Sequence, residues 1–173
     1  NYILFSCNFP ITSEKEFNKS LKLLVKNEYI KRGYTINKAK KVRRDSYKMH
    51  KIFSKLITTL ANKTDLQIIV RPHPIEPITN YDFLKRYKNI SVIKKGSISE
   101  WIFNAKIVVH SGCTGGLESS LRGYHTLSFL PFKSSHGHSF ADTYSRKSYN
   151  LQECLKIIDK LEKKKLKKKK IDF

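Results

Sequence analysis

The segment KIVVHSGCTGGLESSL, residues 106–121, joins a continuous apolar run to a helix-like run through a glycine-rich loop. An apolar run of this length that ends in a loop is typical of a strand buried on both faces of a parallel sheet. The loop holds Gly112, Gly115 and Gly116 but no lysine, in a chain of 173 residues with 35 Lys and Arg. We therefore predict a strand–loop–helix unit at which a ligand comes close to the backbone.

Apolar runs at four other places repeat the strand pattern. Together with the run before the glycine-rich loop, they predict five strands: 2–6, 66–70, 90–94, 106–110 and 125–131. Helix-like patterns fill the segments between them: 14–31, 45–62, 80–87, 99–105, the stretch from the loop to 123, and 151–169. Strands that alternate with helices, each strand apolar throughout, predict an α/β fold. We expect a Rossmann-like, doubly wound parallel sheet of about five strands with helices on both faces.

The predicted sheet and its helices occupy residues 1–150 as one domain. Residues 151–173 predict a C-terminal helix, whose last part consists almost entirely of lysine. Two polar stretches, 32–43 and 132–150, predict exposed loops, and Asp45 is the predicted cap of the helix that follows the first of them. Because the first residues already have the pattern of a buried strand, we expect the chain to be part of a longer protein.

The formal net charge is +21, which invites a nucleic-acid partner. Lysine far outnumbers arginine, however, and arginine is the residue that most often reads bases. Net charge bears on non-specific association rather than on fold, so no specific nucleic-acid partner is predicted. Cys7, Cys113 and Cys154 form no CxxC pair, which predicts neither a zinc site nor a disulfide framework. With no apolar run of transmembrane length, the composition favours a reducing, cytoplasmic location.

The glycine-rich loop predicts an anion site. A turn into a helix leaves backbone N–H groups unpaired at the helix start, and glycines let a phosphate approach them. Ser111 and Thr114 add hydroxyl donors, and Glu118 is placed one turn into the helix, where its carboxylate suits two ribose hydroxyls. The lysine and spacing of a P-loop are absent, as is the GxGxxG pattern. The alternative is that the three glycines only allow the helix to pack tightly on the strand.

A second polar cluster, RPHP at 71–74, follows another predicted strand. It offers a guanidinium and an imidazole on a stiff backbone. The alternative is a capping or core histidine with prolines that merely end the strand. Two clusters suited to anions at the ends of two strands strengthen the phosphate hypothesis. His136 and His138 have no third ligand nearby in sequence, so no metal site is predicted.

The segments IIVRPHPIEP (68–77) and SEWIFNAKIVVHSGCTGGLESSLRGYHTLSFLPF (99–132) resemble the bacterial surface-carbohydrate biosynthesis family. Its members are similar to the C-terminal, nucleotide-binding half of GT-B glycosyltransferases. The loop is also similar to the donor loop of the N-acetylglucosaminyltransferase that makes lipid II, and to that of non-hydrolysing UDP-N-acetylglucosamine 2-epimerases. The chain departs from the pattern at Gly115, where a second threonine is more usual, and at Tyr124-His125, where Lys-Pro is typical.

The resemblance implies a glycosyltransferase that uses a nucleotide-activated sugar in surface polysaccharide biosynthesis. It implies that His73 lies near the donor phosphates as a catalytic residue with Arg71 in support, and that Glu118 binds the donor ribose. Six consecutive residues are then the donor-phosphate ligands: His110, Ser111, Gly112, Cys113, Thr114 and Gly115. No metal or other cofactor is implied beside the nucleotide sugar.

The partners implied are a carbohydrate or lipid-linked acceptor and a second Rossmann-like domain on the N-terminal side. Because GT-B chemistry takes place between two domains, the chain alone is expected to be inactive. One alternative is half of a UDP-sugar 2-epimerase, which needs acid and base carboxylates from both domains. Another is a non-catalytic polybasic module for RNA or membranes, whose binding ignores nucleotides and falls steeply with salt.

The end of the chain, KLEKKKLKKKKIDF (160–173), has two interpretations. It is either a solvated helix end, where lysines favour the negative end of the helix dipole, or a contact for anionic lipid. The second interpretation predicts a peripheral location at the inner face of the membrane. Because its apolar residues are few, such binding is mainly electrostatic.

Overall fold

The computed structural model describes residues 1–9, 18–19, 35–135 and 139–163. Its centre is a sheet of six strands: β1 (Tyr2–Ser6), β2 (Gln67–Arg71), β3 (Ile90–Val92), β4 (Ala105–His110), β5 (Thr126–Phe129) and β6 (Arg146–Ser148). The helices are α1 (Ile36–Ala61), a 3-10 helix (Ile78–Arg86), α2 (Ile98–Phe103), α3 (Thr114–Leu121), α4 (Ser139–Thr143) and α5 (Leu151–Glu162). None of the helices in these ranges is long and apolar enough to span a membrane.

The strands follow the order β3-β2-β1-β4-β5-β6, and every neighbouring pair is parallel. The chain starts in the middle of the sheet, winds outward to β3, returns to pair β4 with the other side of β1, and winds outward again to β6. Parallel neighbours need long crossovers, which the helices supply. This order confirms the predicted Rossmann-like, doubly wound α/β fold, with six strands where the sequence predicted about five.

Helices cover both faces of the sheet because the central strands are apolar on both sides. On one face Phe5 and Val70 lie in the larger core, which also contains residues of α1 and α5. On the other face Leu4 and Ile69 lie in a smaller core with α2. Successive residues of β1 thus enter opposite cores, as the two-residue period of a strand requires. Trp101 is partly buried and packs against the smaller core.

Helix α1 begins at Ile36, earlier than predicted. Thr35 caps it by accepting a backbone N–H of the first turn at 3.2 Å. The predictions that 32–43 is a loop and that Asp45 is the cap are therefore wrong from residue 36 onward. The first turns have little apolar periodicity, but lysine, arginine and alanine are strong helix formers. Asp45 instead pairs with Lys41 one turn earlier at 2.8 Å, which further supports the helix.

The stretch 132–150, predicted as a loop, contains α4 and β6. Strand β6 has no apolar run, because Arg146 and Lys147 are exposed at the edge of the sheet. Its pairing with β5 comes from backbone hydrogen bonds, which side-chain composition does not reveal. His136 and His138 lie outside the described residues, as do nearly all of the predicted helix 14–31 and the lysine-rich end after residue 163.

Candidate functional site

The two polar clusters of the sequence meet at one edge of the sheet. The strand register pairs Ser6 of β1 with Arg71 of β2 on one side and with His110 of β4 on the other. These three strands therefore end level with one another, and the loops after β2 and β4 are about 10 Å apart, two strand spacings. Between β1 and β4 the winding direction reverses, and doubly wound folds bind ligands at such a switch point.

The loop after β4 turns sharply at Gly112, which has a φ of 69°. Glycine adopts this left-handed conformation without the steric cost that a side chain adds. Helix α3 then begins at Thr114, and the N-cap residue Cys113 makes no side-chain capping hydrogen bond. Thr114 is exposed and brings its hydroxyl to the surface at the start of α3, whereas Gly115 and Gly116 are buried and the N–H of Gly116 donates to the carbonyl of Cys113 at 3.1 Å. A helix start with an exposed hydroxyl suits an anion.

Gly115 and Gly116 have a different role from Gly112. A Cβ on Gly116 would lie 2.3 Å from the imidazole ring of His110, and one on Gly115 would lie 2.8 Å from the hydroxyl of Ser6. Both distances are shorter than van der Waals contact, so α3 can approach the sheet only with glycine at these positions. Tight packing of helix on strand, the alternative considered for the glycines, thus explains these two.

His110 supports the loop from beneath. Its imidazole is fully buried, Nδ1 accepts the N–H of Gly112 at 3.1 Å, and Nε2 lies 2.7 Å from the hydroxyl of Ser145. Burial lowers the pKa of the imidazole to about 4, so the ring is neutral near pH 7. The Cys113 thiol is also buried, 3.2 Å from the hydroxyl of Ser6. These two predicted phosphate ligands therefore turn their side chains away from the surface.

The buried imidazole of His110 predicts a loss of stability in mild acid. An unfolded histidine has a pKa of about 6.5, so the unfolded chain binds a proton that the folded chain excludes until the pH falls to about 4. This contribution to the free energy of unfolding is complete above about pH 6.5, and about 2 kcal/mol of it is lost by about pH 5. Denaturant titrations across this range measure the loss. His110→Asn should reduce the slope, and an unchanged slope would assign the acid sensitivity to other groups.

Arg71, at the end of β2, is 8% exposed. Its guanidinium donates hydrogen bonds to three backbone carbonyls, those of Ile93 at 3.0 Å, Lys95 at 2.8 Å and Gly96 at 2.8 Å. These carbonyls belong to the segment between β3 and α2, which Arg71 therefore clamps to β2. The catalytic role of Arg71 stays a prediction, and the contacts described here are structural ones.

Glu76 is a buried carboxylate, 1% exposed, that the sequence did not identify as a site residue. Its Oε1 accepts the N–H groups of Phe9 at 2.7 Å and His73 at 3.0 Å, and its Oε2 accepts the hydroxyl of Tyr81 at 2.5 Å. Glu76 thus joins the loop after β1 to the loop after β2. His73 lies half-buried on this support, with Nδ1 accepting the N–H of Ile75 at 3.3 Å. The signal in the sequence that could have identified Glu76 was its position, an acidic residue three places after His73.

Glu118 faces sideways from α3, and its side chain is 28% exposed. Its carboxylate accepts a hydrogen bond from the hydroxyl of Ser99 and pairs with Arg122 at 3.0 Å. Because Ser99 belongs to α2, the carboxylate links two neighbouring helices. A ribose at Glu118 would share or replace these contacts.

A cleft of about 620 Å³ opens beside the glycine-rich loop, over the ends of β4 and β5. Ten residues line it: Met49, Ser111, Gly112, Leu130, Pro131, Phe132, Lys133, Ser134, Asp142 and Tyr149. Its volume lies within the usual range for small-molecule sites. Ser111 and Gly112 are predicted site residues, whereas Arg71, His73 and Glu118 are not part of its lining. The structure therefore brings the two clusters to one edge but not into one pocket.

Asp142 of α4 is the acid that sequence reasoning missed in this cleft. Its carboxylate accepts a hydrogen bond from the hydroxyl of Ser128 at 2.5 Å. Burial raises the pKa of the carboxyl above its usual value. Lys133 and Tyr149 also line the cleft, which therefore offers an acceptor, a cation and a phenol hydroxyl. Asp142 was not predicted as a site residue, because the surrounding segment has the composition of an exposed loop.

No family model matches this chain, and no curated protein matches it significantly. Across the described part of the chain, no three His, Cys, Asp or Glu side chains form a group that could hold a metal ion. The resemblance to a surface-carbohydrate family thus stays a hypothesis that rests on the motifs of the sequence.

Proposed function

We propose that this chain is the donor-binding domain of a GT-B glycosyltransferase that uses a nucleotide-activated sugar in surface polysaccharide synthesis. The observation that carries the proposal is the turn at Gly112, which opens onto the 620 Å³ cleft beside the switch point of the sheet. Doubly wound sheets bind nucleotides at this place because loops from both halves diverge there and leave a crevice.

The diphosphate of the donor binds at the start of α3. Its ligands are the N–H group and hydroxyl of Thr114, the hydroxyl of Ser111 and the positive charge of Lys133. As the sugar leaves, negative charge develops on the phosphates, and donors already in place stabilise that charge without reorganising. His73 remains the candidate for assisting the leaving group from the neighbouring loop.

The sugar end of the donor fills the cleft. A ligand rich in hydroxyl groups suits the carboxylate of Asp142 as acceptor and the phenol of Tyr149 as donor or acceptor. The carboxylate of Glu118 binds the ribose hydroxyls, which replace its present contacts with Ser99 and Arg122. The acceptor and the catalytic base come from a second domain in this type of enzyme.

Calorimetry on the purified chain tests the proposal. The ligands are uridine and cytidine diphosphates, their sugar conjugates, and inorganic pyrophosphate as a control without nucleoside. We expect saturable binding of at least one nucleotide, tighter than that of pyrophosphate, and loss of it in Gly112→Val, which forces a branched side chain into a left-handed turn. Failure of every nucleotide to bind a chain that melts cooperatively would contradict the proposal. Equal binding of all anions, lost with salt, would favour the polybasic-module alternative.

Glu118→Ala should weaken nucleotide binding by about 1–3 kcal/mol, because a hydrogen bond from a ribose hydroxyl to a charged group is lost. Arg122→Ala is the matched control, since it removes the ion pair but leaves the carboxylate, and its affinity should not fall. A 2′-deoxynucleotide should show a smaller difference between wild type and Glu118→Ala. Equal affinities of the two proteins for the ribonucleotide would remove Glu118 from the site.

A further inference from the structure

The basic residues of the described chain are concentrated on the first half of α1. Residues 36–51 contain seven Lys and Arg and one acid, Asp45, which pairs with Lys41. Helix α5, which shares the same core, contains two lysines and three acids over Leu151–Glu162. The excess of positive charge is therefore a property of α1 and not of every exposed helix on this face.

Four of these seven charges, together with Lys55, form a row along α1. Five exposed residues, here called the basic stripe, recur at helical spacing: Lys40, Arg44, Lys48, Lys51 and Lys55. At 3.6 residues per turn they fall within about 80° of the helix circumference and extend over about 22 Å. The buried residues of α1, among them Met49, Phe53 and Leu56, lie on the opposite side. The stripe thus faces away from the core along four turns of a rigid helix.

We propose that the basic stripe binds the surface of an anionic lipid bilayer. A straight row of cations on a convex rod can touch a flat surface along its whole length, and long lysine side chains reach the headgroups from there. The stripe contains no apolar or aromatic residue, so it binds by charge without insertion. Two aromatic rings border the stripe, Tyr47 beneath Lys51 and Phe132 beneath Lys48, each with its centre 4.4 Å from the ammonium. Bases of a single-stranded nucleic acid stack on such rings, so the test below includes an oligonucleotide.

The stripe lies close to the cleft. Met49 lines the cleft from the opposite side of α1, and Lys48 lies 4.4 Å from the ring centre of Phe132, another lining residue. A helix is about 10 Å across, so a bilayer bound to the stripe lies about one helix width from the cleft. This position would bring the site near a substrate carried in the membrane, but binding to the bilayer does not depend on nucleotide binding.

Sedimentation with vesicles of phosphatidylcholine, with and without phosphatidylglycerol, tests the proposal on the full chain. The stripe variant is Lys40→Gln, Arg44→Gln, Lys55→Gln, at positions where the side chains are exposed. One lysine near an anionic surface changes affinity about fivefold, so three changes should weaken binding to the phosphatidylglycerol vesicles about 100-fold. Neither protein should bind phosphatidylcholine alone, and added salt should weaken the wild type.

The matched control removes three equally exposed charges elsewhere, as Lys63→Gln, Lys88→Gln, Lys95→Gln. All three proteins keep the lysine-rich end, so any contribution from it is constant. Binding that is nearly unchanged in the control and lost in the stripe variant supports the proposal. Equal losses of vesicle binding in both variants would overturn the proposal and attribute the binding to net charge. No loss in either variant would also overturn it and attribute the binding to the lysine-rich end. A larger loss on an oligonucleotide than on vesicles, measured by fluorescence anisotropy, would assign the stripe to nucleic acid.

Discussion

Gly116→Ala is expected to lower the free energy of unfolding by at least about 3 kcal/mol, the upper end of the usual cost of overpacking a core. The added Cβ would lie 2.3 Å from the imidazole of His110. This ring cannot move aside easily, because it is fully buried and is held by Ser145 on one nitrogen and by Gly112 on the other. Denaturant unfolding followed by circular dichroism measures the loss.

Gly115→Ala is the matched control within the same helix turn. Its Cβ would meet the hydroxyl of Ser6 at 2.8 Å and the side chain of Ile98 at 3.0 Å, which can adjust more easily than a buried ring. We expect a smaller loss of about 1–2 kcal/mol. Adding His110→Ala to Gly116→Ala should give a total loss smaller than the sum of the two single losses, because the clash is removed. A smaller cost for Gly116→Ala than for Gly115→Ala would show that the ring is not the constraint.

Arg71→Ala is expected to destabilise the protein by about 3–5 kcal/mol, because three carbonyls lose a charged donor at once. The segment between β3 and α2 then loses its attachment to β2. Hydrogen exchange should locate the change there, with faster exchange around Gly96 and α2. Denaturant titration measures the global loss.

Two further variants distinguish the effect of the three Arg71 hydrogen bonds from the effect of its positive charge alone. Arg71→Lys keeps the charge but not the planar fork of donors, so it should recover only part of the stability. Arg146→Ala removes an exposed guanidinium and should stay within about 0.5 kcal/mol of the wild type. Unchanged stability of Arg71→Ala, together with weaker nucleotide binding, would contradict the clamp and favour the predicted catalytic role.

The five predicted strands all appear in the structure, because their apolar runs are buried on both faces and leave a strong signal in sequence. Strand β6 escaped prediction for the opposite reason: its exposed Arg146 and Lys147 carry no burial signal. The start of α1 was missed likewise, because its first turns depend on helix propensity, the Thr35 cap and the Lys41–Asp45 pair rather than on an apolar face.

The candidate site was predicted only in part. The turn at Gly112 and the exposed threonine after it, Thr114, follow from residue types that suit a close approach to the backbone. Glu76 and Asp142 could not be placed, because an acid becomes a site residue through burial and through partners distant in sequence. Tyr81 and Phe9 make Glu76 such a residue, and Ser128 does so for Asp142.

The sequence alone determined the alternation of buried strands with helices, the left-handed turn at Gly112, and the close approach of α3 to the sheet at Gly115 and Gly116. These features depend on local properties, namely side-chain polarity, spacing and the absence of a Cβ. The tertiary structure decided the strand order and the orientation of the polar groups. In the folded protein His110 points inward and contacts the hydroxyl of Ser145. The guanidinium of Arg71 donates hydrogen bonds to the carbonyl of Gly96 and to neighbouring carbonyls. Hydrogen bonds between residues far apart in the chain exist only once the sheet has formed, so no local pattern could assign them.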